Sequence, residues 1–141
     1  MSHYIVDAGV AAKWFLPEDY TPEAQGLLKI GERFSAPDFL QLEMDNLLCK
    51  RIRRGEISEK DANDARAMLA EIFIQYHSSL SLRERSYKLA LLTRQSVYDC
   101  LYLALALKLN AQLVTADRRL YQKIAVGPLA DYVEWVGKIG K

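Results

Sequence analysis

The stretch that decides the fold is residues 97–117, which read VYDCLYLALALKLNAQLVTAD. Its first part is apolar on nearly every side and follows a capping pattern at Ser96, so it predicts a helix that is buried all round. Asn110 predicts the end of that helix, and residues 113–115 predict a β-strand that stops just before Asp117. This order is typical of a domain in which helices and strands alternate.

The same alternation extends over the rest of the chain. Short β-prone runs occur at residues 4–6, 33–36, 74–77 and 132–136, and helical patterns separate them. Strands that alternate with helices predict right-handed crossovers and helices on both faces of a parallel sheet. The predicted fold class is therefore α/β, an α/β/α sandwich with a central parallel sheet of four or five strands.

Several helix boundaries are predicted from capping residues. Thr21 before Pro22 predicts the start of a helix that Gly31 ends. Asp38 is predicted to cap a long helix, Ser58 opens a capping box, and residues 81–84 open another helix.

Length and composition bound the class of protein. The chain has 141 residues, half of them hydrophobic and 26% charged, which predicts one globular domain over residues 1–141. Because 19 basic and 18 acidic residues leave a net charge of only +1, any binding to RNA must depend on a local patch.

The cysteines and the apolar runs bear on location. Cys49 and Cys100 lie far apart, and Asp7 interrupts the only early apolar run, so neither a disulfide framework nor a signal peptide is expected. The longest apolar run, residues 100–107, is far below the roughly 18 residues of a membrane span. A soluble, cytoplasmic protein with reduced thiols is expected.

Two aspartates follow β-prone runs directly. Asp7 and Asp117 each lie just past a predicted strand, and ligands of open parallel sheets collect at the carboxyl ends of strands. Each could instead simply cap the helix that follows, which is a favoured role for aspartate.

Two further carboxylates have ordinary alternatives as well. Asp99 occupies the fourth position of the Ser96 capping box, and Glu43 could be a solvated residue of a helix face. His3 and His77 are isolated, and no clustered Ser-His, Cys-His or His/Cys set is present elsewhere in the sequence.

Four carboxylates in one pocket would repel one another unless they took up protons or bound cations. Oxygen ligands without imidazole or thiolate favour Mg²⁺ or Mn²⁺. Such ions lower the pKa of a bound water, orient it for in-line attack on phosphorus and neutralise the leaving 3′ oxygen, which gives a product with a 5′ phosphate.

The residues resemble a known family, the PIN domain, and within it the VapC-like ribonuclease toxins of type II toxin–antitoxin systems. The resemblance is carried by five motifs that span the chain: residues 5–8 (IVDA), 42–43 (LE), 97–99 (VYD), 101–104 (LYLA) and 113–117 (LVTAD). It implies that the strand bearing Asp7 lies in the middle of the sheet, beside the strand that ends at Asp117. It also implies Mg²⁺-dependent endoribonuclease activity and a homodimer, inhibited by a small antitoxin protein whose tail enters the active-site groove.

Two positions depart from the family pattern. Gly9 stands where relatives often have Ser or Thr, and Arg119 stands where many have another acid, so metal affinity or metal number could differ. Thr115 is a candidate to hydrogen-bond a carboxylate or a bound water, with a plain strand residue as the alternative.

Candidate RNA contacts are basic and aromatic. Arg118 and Arg119 adjoin Asp117, and one of them could bind the scissile phosphate or its neighbour. Tyr98 and Trp14 could stack on unpaired bases, or could instead belong to the core or a dimer contact. A positive run could add phosphate contacts or simply be a solvated helix end: Lys50, Arg51, Arg53 and Arg54.

Two other functions compete with a metal-dependent nuclease. An aspartyl-phosphate phosphatase would need a second acid two residues after Asp7, where Gly9 stands. A catalytically weak or inactive PIN-like module that binds RNA or protein remains open.

Overall fold

A computed structural model describes residues 2–29 and 32–141. Its five strands form one parallel sheet in the order β3-β2-β1-β4-β5. The strands are β1 (His3–Val6), β2 (Arg33–Pro37), β3 (Gln75–His77), β4 (Gln112–Thr115) and β5 (Val133–Trp135). The predicted α/β/α sandwich is therefore confirmed.

In the described ranges, seven α-helices connect the strands. They are α1 (Ala8–Lys13), α2 (Thr21–Lys29), α3 (Phe39–Arg53), α4 (Glu59–Glu71), α5 (Arg83–Thr93), α6 (Val97–Leu109) and α7 (Arg118–Ala125). Short 3₁₀ turns precede α5 and flank β5. Within residues 2–29 and 32–141, no helix is long and apolar enough to cross a membrane.

The strand order creates the place where a ligand can bind. The chain runs outward from β1 through β2 to β3, then crosses back over the sheet through α5 and α6 to β4. Right-handed crossovers put α1 to α4 on one face and α5 to α7 on the other. The chain therefore leaves β1 and β4 toward opposite faces, which opens a crevice at the carboxyl ends of these two neighbouring strands.

Helix α6 is buried as its sequence predicts. It packs on β1, β2 and β4, and every residue from Cys100 to Ala106 is buried. Asn110 ends the helix in the left-handed conformation at φ 51°, as predicted. Because α6 begins at the carboxyl edge of the sheet, the start of this apolar helix carries Asp99 to the crevice.

The predicted caps have mixed outcomes. The capping box at Ser58 is confirmed, with both of its hydrogen bonds present. Asp38 occupies the N-cap position of α3, as predicted, but its side chain makes no cap bond to the helix and accepts from the amide of Ser79 at 3.1 Å. Ser79 instead caps α3 from a distant loop, because its hydroxyl accepts from the amide of Phe39.

The predicted starts of two other helices are confirmed. Helix α5 starts at Arg83, within the predicted residues 81–84 and after a 3₁₀ turn over Leu80–Leu82. Helix α2 includes Thr21, and its predicted terminator, Gly31, lies outside the described residues. Both cysteines are free, with Cys49 exposed and Cys100 buried.

Candidate active site

Asp7 lies at the centre of the crevice, half-buried between the end of β1 and the start of α1. Its Oδ1 accepts from the amide of Val10 at 2.9 Å, so the capping role is real. Its other oxygen, Oδ2, accepts from the hydroxyl of Thr115 on the neighbouring strand at 3.2 Å. One side chain therefore serves as a helix cap and as a member of a cluster.

Thr115 joins the two central strands through its hydroxyl. While donating to Asp7, it accepts from the amide of Asp117 at 3.0 Å, and the residue is fully buried. A bridge between two aspartates favours the supporting role over that of a plain strand residue.

Glu43 reaches the crevice from α3. Its Oε1 accepts from the hydroxyl of Tyr102 at 2.9 Å and from the amide of Ala8 at 3.3 Å. The side chain thus ties α3 to the start of α1 and to buried α6 and is not a solvated group of the helix face. Burial raises the pKa of Glu43, an effect that its two hydrogen bonds oppose.

Asp99 and Asp117 complete the group on the other side. The hydroxyl of Ser96 caps α6 by accepting from the amide of Asp99, and the full reciprocal box is not formed. Asp117 caps α7 by accepting from the amide of Leu120 at 3.1 Å. The Asp99 carboxylate therefore does not complete a capping box, although a hydrogen bond with the Ser96 side chain lowers its pKa, whereas the Asp117 carboxylate acts as a cap.

Electrostatic effects link the four carboxylates in pairs. Burial raises the pKa of Asp7 to about 7, and the negative charges of Glu43 and Asp99 add to this rise. Burial also raises the pKa of Asp99, with a further contribution from the charge of Asp117. Neighbouring negative charge thus opposes the ionisation of Asp7 and Asp99, and this is the condition under which carboxylates gain by binding a cation.

The carboxylates do not form a closed coordination shell. Among the described residues, no three His, Cys, Asp or Glu side chains are grouped as a ready-made metal site. Mg²⁺ keeps several waters and is usually held by one or two carboxylates together with phosphate oxygens of the substrate. Asp7 and Asp99, which have raised pKa values and offer carboxylate oxygens as ligands, fit a hard divalent cation of this kind.

Gly9 leaves room beside the cluster. A Cβ atom added there would lie 3.4 Å from Oδ1 of Asp7, which is an ordinary contact. The small residue is therefore not required by packing, since there is room for a Cβ atom.

The predicted basic residues have different environments. Arg51 forms ion pairs with Glu18 and Glu56 and is half-buried. Three others of the same run are exposed at the far end of α3 from Glu43: Lys50, Arg53 and Arg54. Arg118 lies over the ring of Trp135, whereas the exposed side chain of Arg119 makes no hydrogen bond or ion pair with the described part of the chain.

The two candidate stacking residues also differ in their exposure to solvent. Trp14 is buried, and its Nε1 donates to the backbone oxygen of Ala24 at 2.9 Å, so its ring is not open to a base. Tyr98 is 59% exposed and stacks on Phe39. Only Tyr98 of this pair can meet a ligand from solvent.

Sequence reasoning missed three side chains around the crevice. Tyr102 lies in an apolar helix and resembles a core residue, although a buried tyrosine needs a partner for its hydroxyl and this one lies three residues after Asp99. Lys13 is buried near Asp7, and Trp135 lies beside Thr115 in register. Nothing in the local sequence marks these last two.

Comparisons with known proteins identify the family of the chain. The family model described as PIN domain matches residues 4–126. Ribonuclease VapC3 of Pyrobaculum aerophilum is 32% identical over 121 residues, covering 84% of this chain and 92% of the relative.

Solved structures show the same fold. PAE2754 from Pyrobaculum aerophilum superposes with a TM-score of 0.72 at 20% identity, covering 96% of this chain and 85% of that one. Mycobacterium tuberculosis VapC20, described as a sarcin-ricin loop cleaving toxin, gives 0.62 at 16% identity over 81% and 91% of the two chains. VapBC2 from Rickettsia felis, bound to a DNA fragment from the promoter, gives 0.61 at 12% identity over 94% and 98%. The resemblance noted from the sequence is confirmed, and the chain belongs to the PIN domain family.

Proposed function

We propose that this protein is a Mg²⁺- or Mn²⁺-dependent endoribonuclease and the toxin of a toxin–antitoxin pair. The observation that carries the proposal is the electrostatic coupling of Asp7 with Glu43 and Asp99 in the crevice between β1 and β4. The relative that is 32% identical is a ribonuclease, which supports the same reaction class.

The residues divide the work as follows. Asp7 and Asp99 would hold the cation, and Glu43 and Asp117 would supply further oxygen ligands from the border of the same crevice. Thr115 and Tyr102 fix the orientation of Asp7 and Glu43 through their hydroxyl groups. A bound cation would neutralise phosphate charge and activate water for attack on phosphorus.

Induced expression of the wild type and of Asp7→Asn in parallel, followed by mapping of RNA ends, tests this proposal. Growth arrest with new 5′-phosphate ends in the wild type alone is expected. Equal growth arrest and equal RNA ends in the variant would overturn the assignment. A variant carrying Asp131→Asn is the control. This exposed residue lies just before β5, at the amino ends of the strands, whereas the crevice lies at their carboxyl ends.

A catalytically inactive module that binds RNA is the second candidate, and Arg119 and Gly9 favour it because both depart from the family pattern. Calorimetry with Mn²⁺ separates the two functions. Binding of Mn²⁺ that Asp7→Asn abolishes supports the nuclease, whereas RNA binding without any metal binding supports the module.

The proposed partners are an antitoxin protein and a second copy of the chain, in the cytoplasm. The solved VapBC2 structure contains a toxin–antitoxin pair and supports the first. Leu91 and Leu92 on α5 are 66% and 72% exposed, which supports a protein contact on that face. Light scattering of the wild type and of Leu92→Glu tests the homodimer. We expect the wild type to be a dimer and the charge introduced in Leu92→Glu to disrupt that dimer.

We also propose that residues 1–141 form one domain. The buried core runs from Ile5 to Val136 without a break between its parts. A single cooperative unfolding transition is the expected result, and two separate transitions would contradict it.

A further inference from the structure

A cluster of aromatic rings and one arginine borders the crevice on the side of β5. Trp135 is the last residue of β5, and its Cα pairs with that of Thr115. The guanidinium carbon of Arg118 lies 5.0 Å from the centre of the Trp135 ring, and its Nη2 donates to the hydroxyl oxygen of Tyr20 at 3.5 Å. The guanidinium of Arg118 is therefore held from two sides, and Arg118 directly follows Asp117 in the chain.

Two positions at this cluster are sterically restricted. Tyr20 has a φ of 67°, a left-handed conformation that typically costs a non-glycine residue about 1 kcal/mol or more. Its ring meets that of Trp135 edge-on, with 5.4 Å between the ring centres. At Gly137, an added Cβ atom would lie 2.6 Å from Nε1 of Trp135 and 2.9 Å from the Tyr20 ring, so only glycine fits there.

The cluster is connected to the carboxylates through the end of β4. Trp135 pairs in register with Thr115, and the hydroxyl of Thr115 donates to Oδ2 of Asp7 at 3.2 Å. The aromatic cluster and the carboxylate crevice are therefore adjacent.

The charge of Arg118 is free for a ligand. It forms no ion pair with any carboxylate among the described residues, although it follows Asp117 in the chain. A guanidinium that rests on an aromatic face keeps its N–H donors at the rim, and these donors match the oxygens of a phosphate. A crevice rich in carboxylates repels a polyanion, so a fixed cation at its edge is needed to bring RNA close.

We propose that Arg118, held by Trp135 and Tyr20, forms a subsite that binds a backbone phosphate of the RNA next to the scissile one, and that Arg119 does not. This inference rests on the proposed ribonuclease function. It assigns different roles to two neighbouring arginines that the sequence alone cannot distinguish.

Fluorescence anisotropy with a labelled single-stranded RNA oligonucleotide, without divalent metal, tests the subsite. All variants carry Asp99→Asn as background so that binding is measured apart from cutting. Arg118→Ala is expected to weaken binding about tenfold and to reduce the slope of log K against log salt by about 0.7, which corresponds to one phosphate contact on a single strand. The matched control Arg119→Ala is expected to change the dissociation constant by less than about twofold.

Trp135→Leu tests whether the ring positions the arginine. It is expected to weaken binding by nearly as much as Arg118→Ala, and the double variant is expected to be no weaker than Arg118→Ala alone. Circular dichroism and thermal unfolding identify any variant that has lost its fold, and Arg118→Lys then provides a milder change that keeps the charge and loses the planar fork.

Equal losses for Arg118→Ala and Arg119→Ala, or no loss for Arg118→Ala, would overturn the subsite. If the chain with the native Asp99 cuts RNA while these losses are equal, the subsite alone fails. If that chain neither binds nor cuts RNA, the proposed function fails and the subsite fails with it.

Discussion

The hydroxyl of Tyr102 donates a hydrogen bond to Oε1 of Glu43, with 2.9 Å between the two oxygens. The amide of Ala8 donates to the same oxygen, so both contacts fall on one side of the carboxylate. Oε2 therefore stays available to the crevice. Hydroxyl groups that orient a ligating carboxylate in this way are commonly worth 10-fold to 100-fold in metal affinity.

Tyr102→Phe should therefore weaken Mn²⁺ binding by about tenfold, because the ring still fills its buried site while Glu43 loses its anchor. Isothermal titration calorimetry measures the dissociation constant. Tyr98→Phe is the matched control, since that ring is exposed and its hydroxyl does not contact the cluster. An unchanged Mn²⁺ dissociation constant in Tyr102→Phe would show that Glu43 does not need the hydroxyl.

Thr115→Val should move the pH dependence of Mn²⁺ binding to higher pH. The hydrogen bond from Thr115 lowers the pKa of Asp7, so its loss leaves burial less opposed and the carboxylate ionises later. Mn²⁺ titrations between pH 5.5 and pH 8.5, in steps of about half a unit, cover the titration of Asp7 near 7. Thr115→Ser keeps the hydroxyl and should retain the wild-type midpoint; equal midpoints in the valine and serine variants would contradict the role of this bond.

Asp7 should also make the metal-free protein less stable as the pH rises. Its pKa is about 7 in the fold and close to 3.8 in the unfolded chain, so between these values the folded state holds the extra proton. The contribution of Asp7 to the free energy of unfolding therefore falls as the pH rises from 3.8 to about 7, and it is lowest above pH 7. In EDTA at pH 8, Asp7→Asn should stabilise the protein by roughly 1–3 kcal/mol in urea unfolding, and the gain should shrink toward pH 4. A lower free energy of unfolding for Asp7→Asn than for the wild type at pH 8 would mean that burial does not destabilise the ionised Asp7 carboxylate.

Arg51 should prove to be a structural residue more than an RNA contact. Glu18 is nearly buried between Arg51 and Lys13, so Arg51→Met removes one of its two cationic partners. We expect a loss of roughly 1–3 kcal/mol in the free energy of unfolding, with little change in RNA affinity. Arg53→Met, at an exposed position of the same helix, should lower the RNA affinity and leave the free energy of unfolding nearly unchanged. Equal effects of the two variants on stability would contradict this division.

The sequence predicted those site residues whose position depends on local structure. Asp7 and Asp117 follow β-prone runs, and a parallel sheet brings the carboxyl ends of neighbouring strands together, so their proximity follows from topology. The bond from Thr115 to Asp7 spans 108 residues and depends on which side of the strand faces the crevice. Strand register decides this, and one strand cannot reveal it.

Long-range packing explains the other gaps. Asp38 has the residue type of a helix cap, yet a loop 41 residues away supplies both its partner and the true cap of α3. Tyr20 and Arg118 are 98 residues apart and meet only through the fold. Local propensity sets the elements, whereas such contacts arise when the elements pack.

Cleavage of a labelled single-stranded RNA by the purified protein in Mn²⁺ is the most direct test that the crevice is a metal-dependent nuclease site. The account predicts that the wild type and Asp131→Asn cut the RNA to leave 5′-phosphate ends, and that EDTA stops both. Asp99→Asn should fold normally and cut at least about a hundredfold more slowly. Cutting by Asp99→Asn at the wild-type rate, or cutting that persists in EDTA, would contradict the central claim.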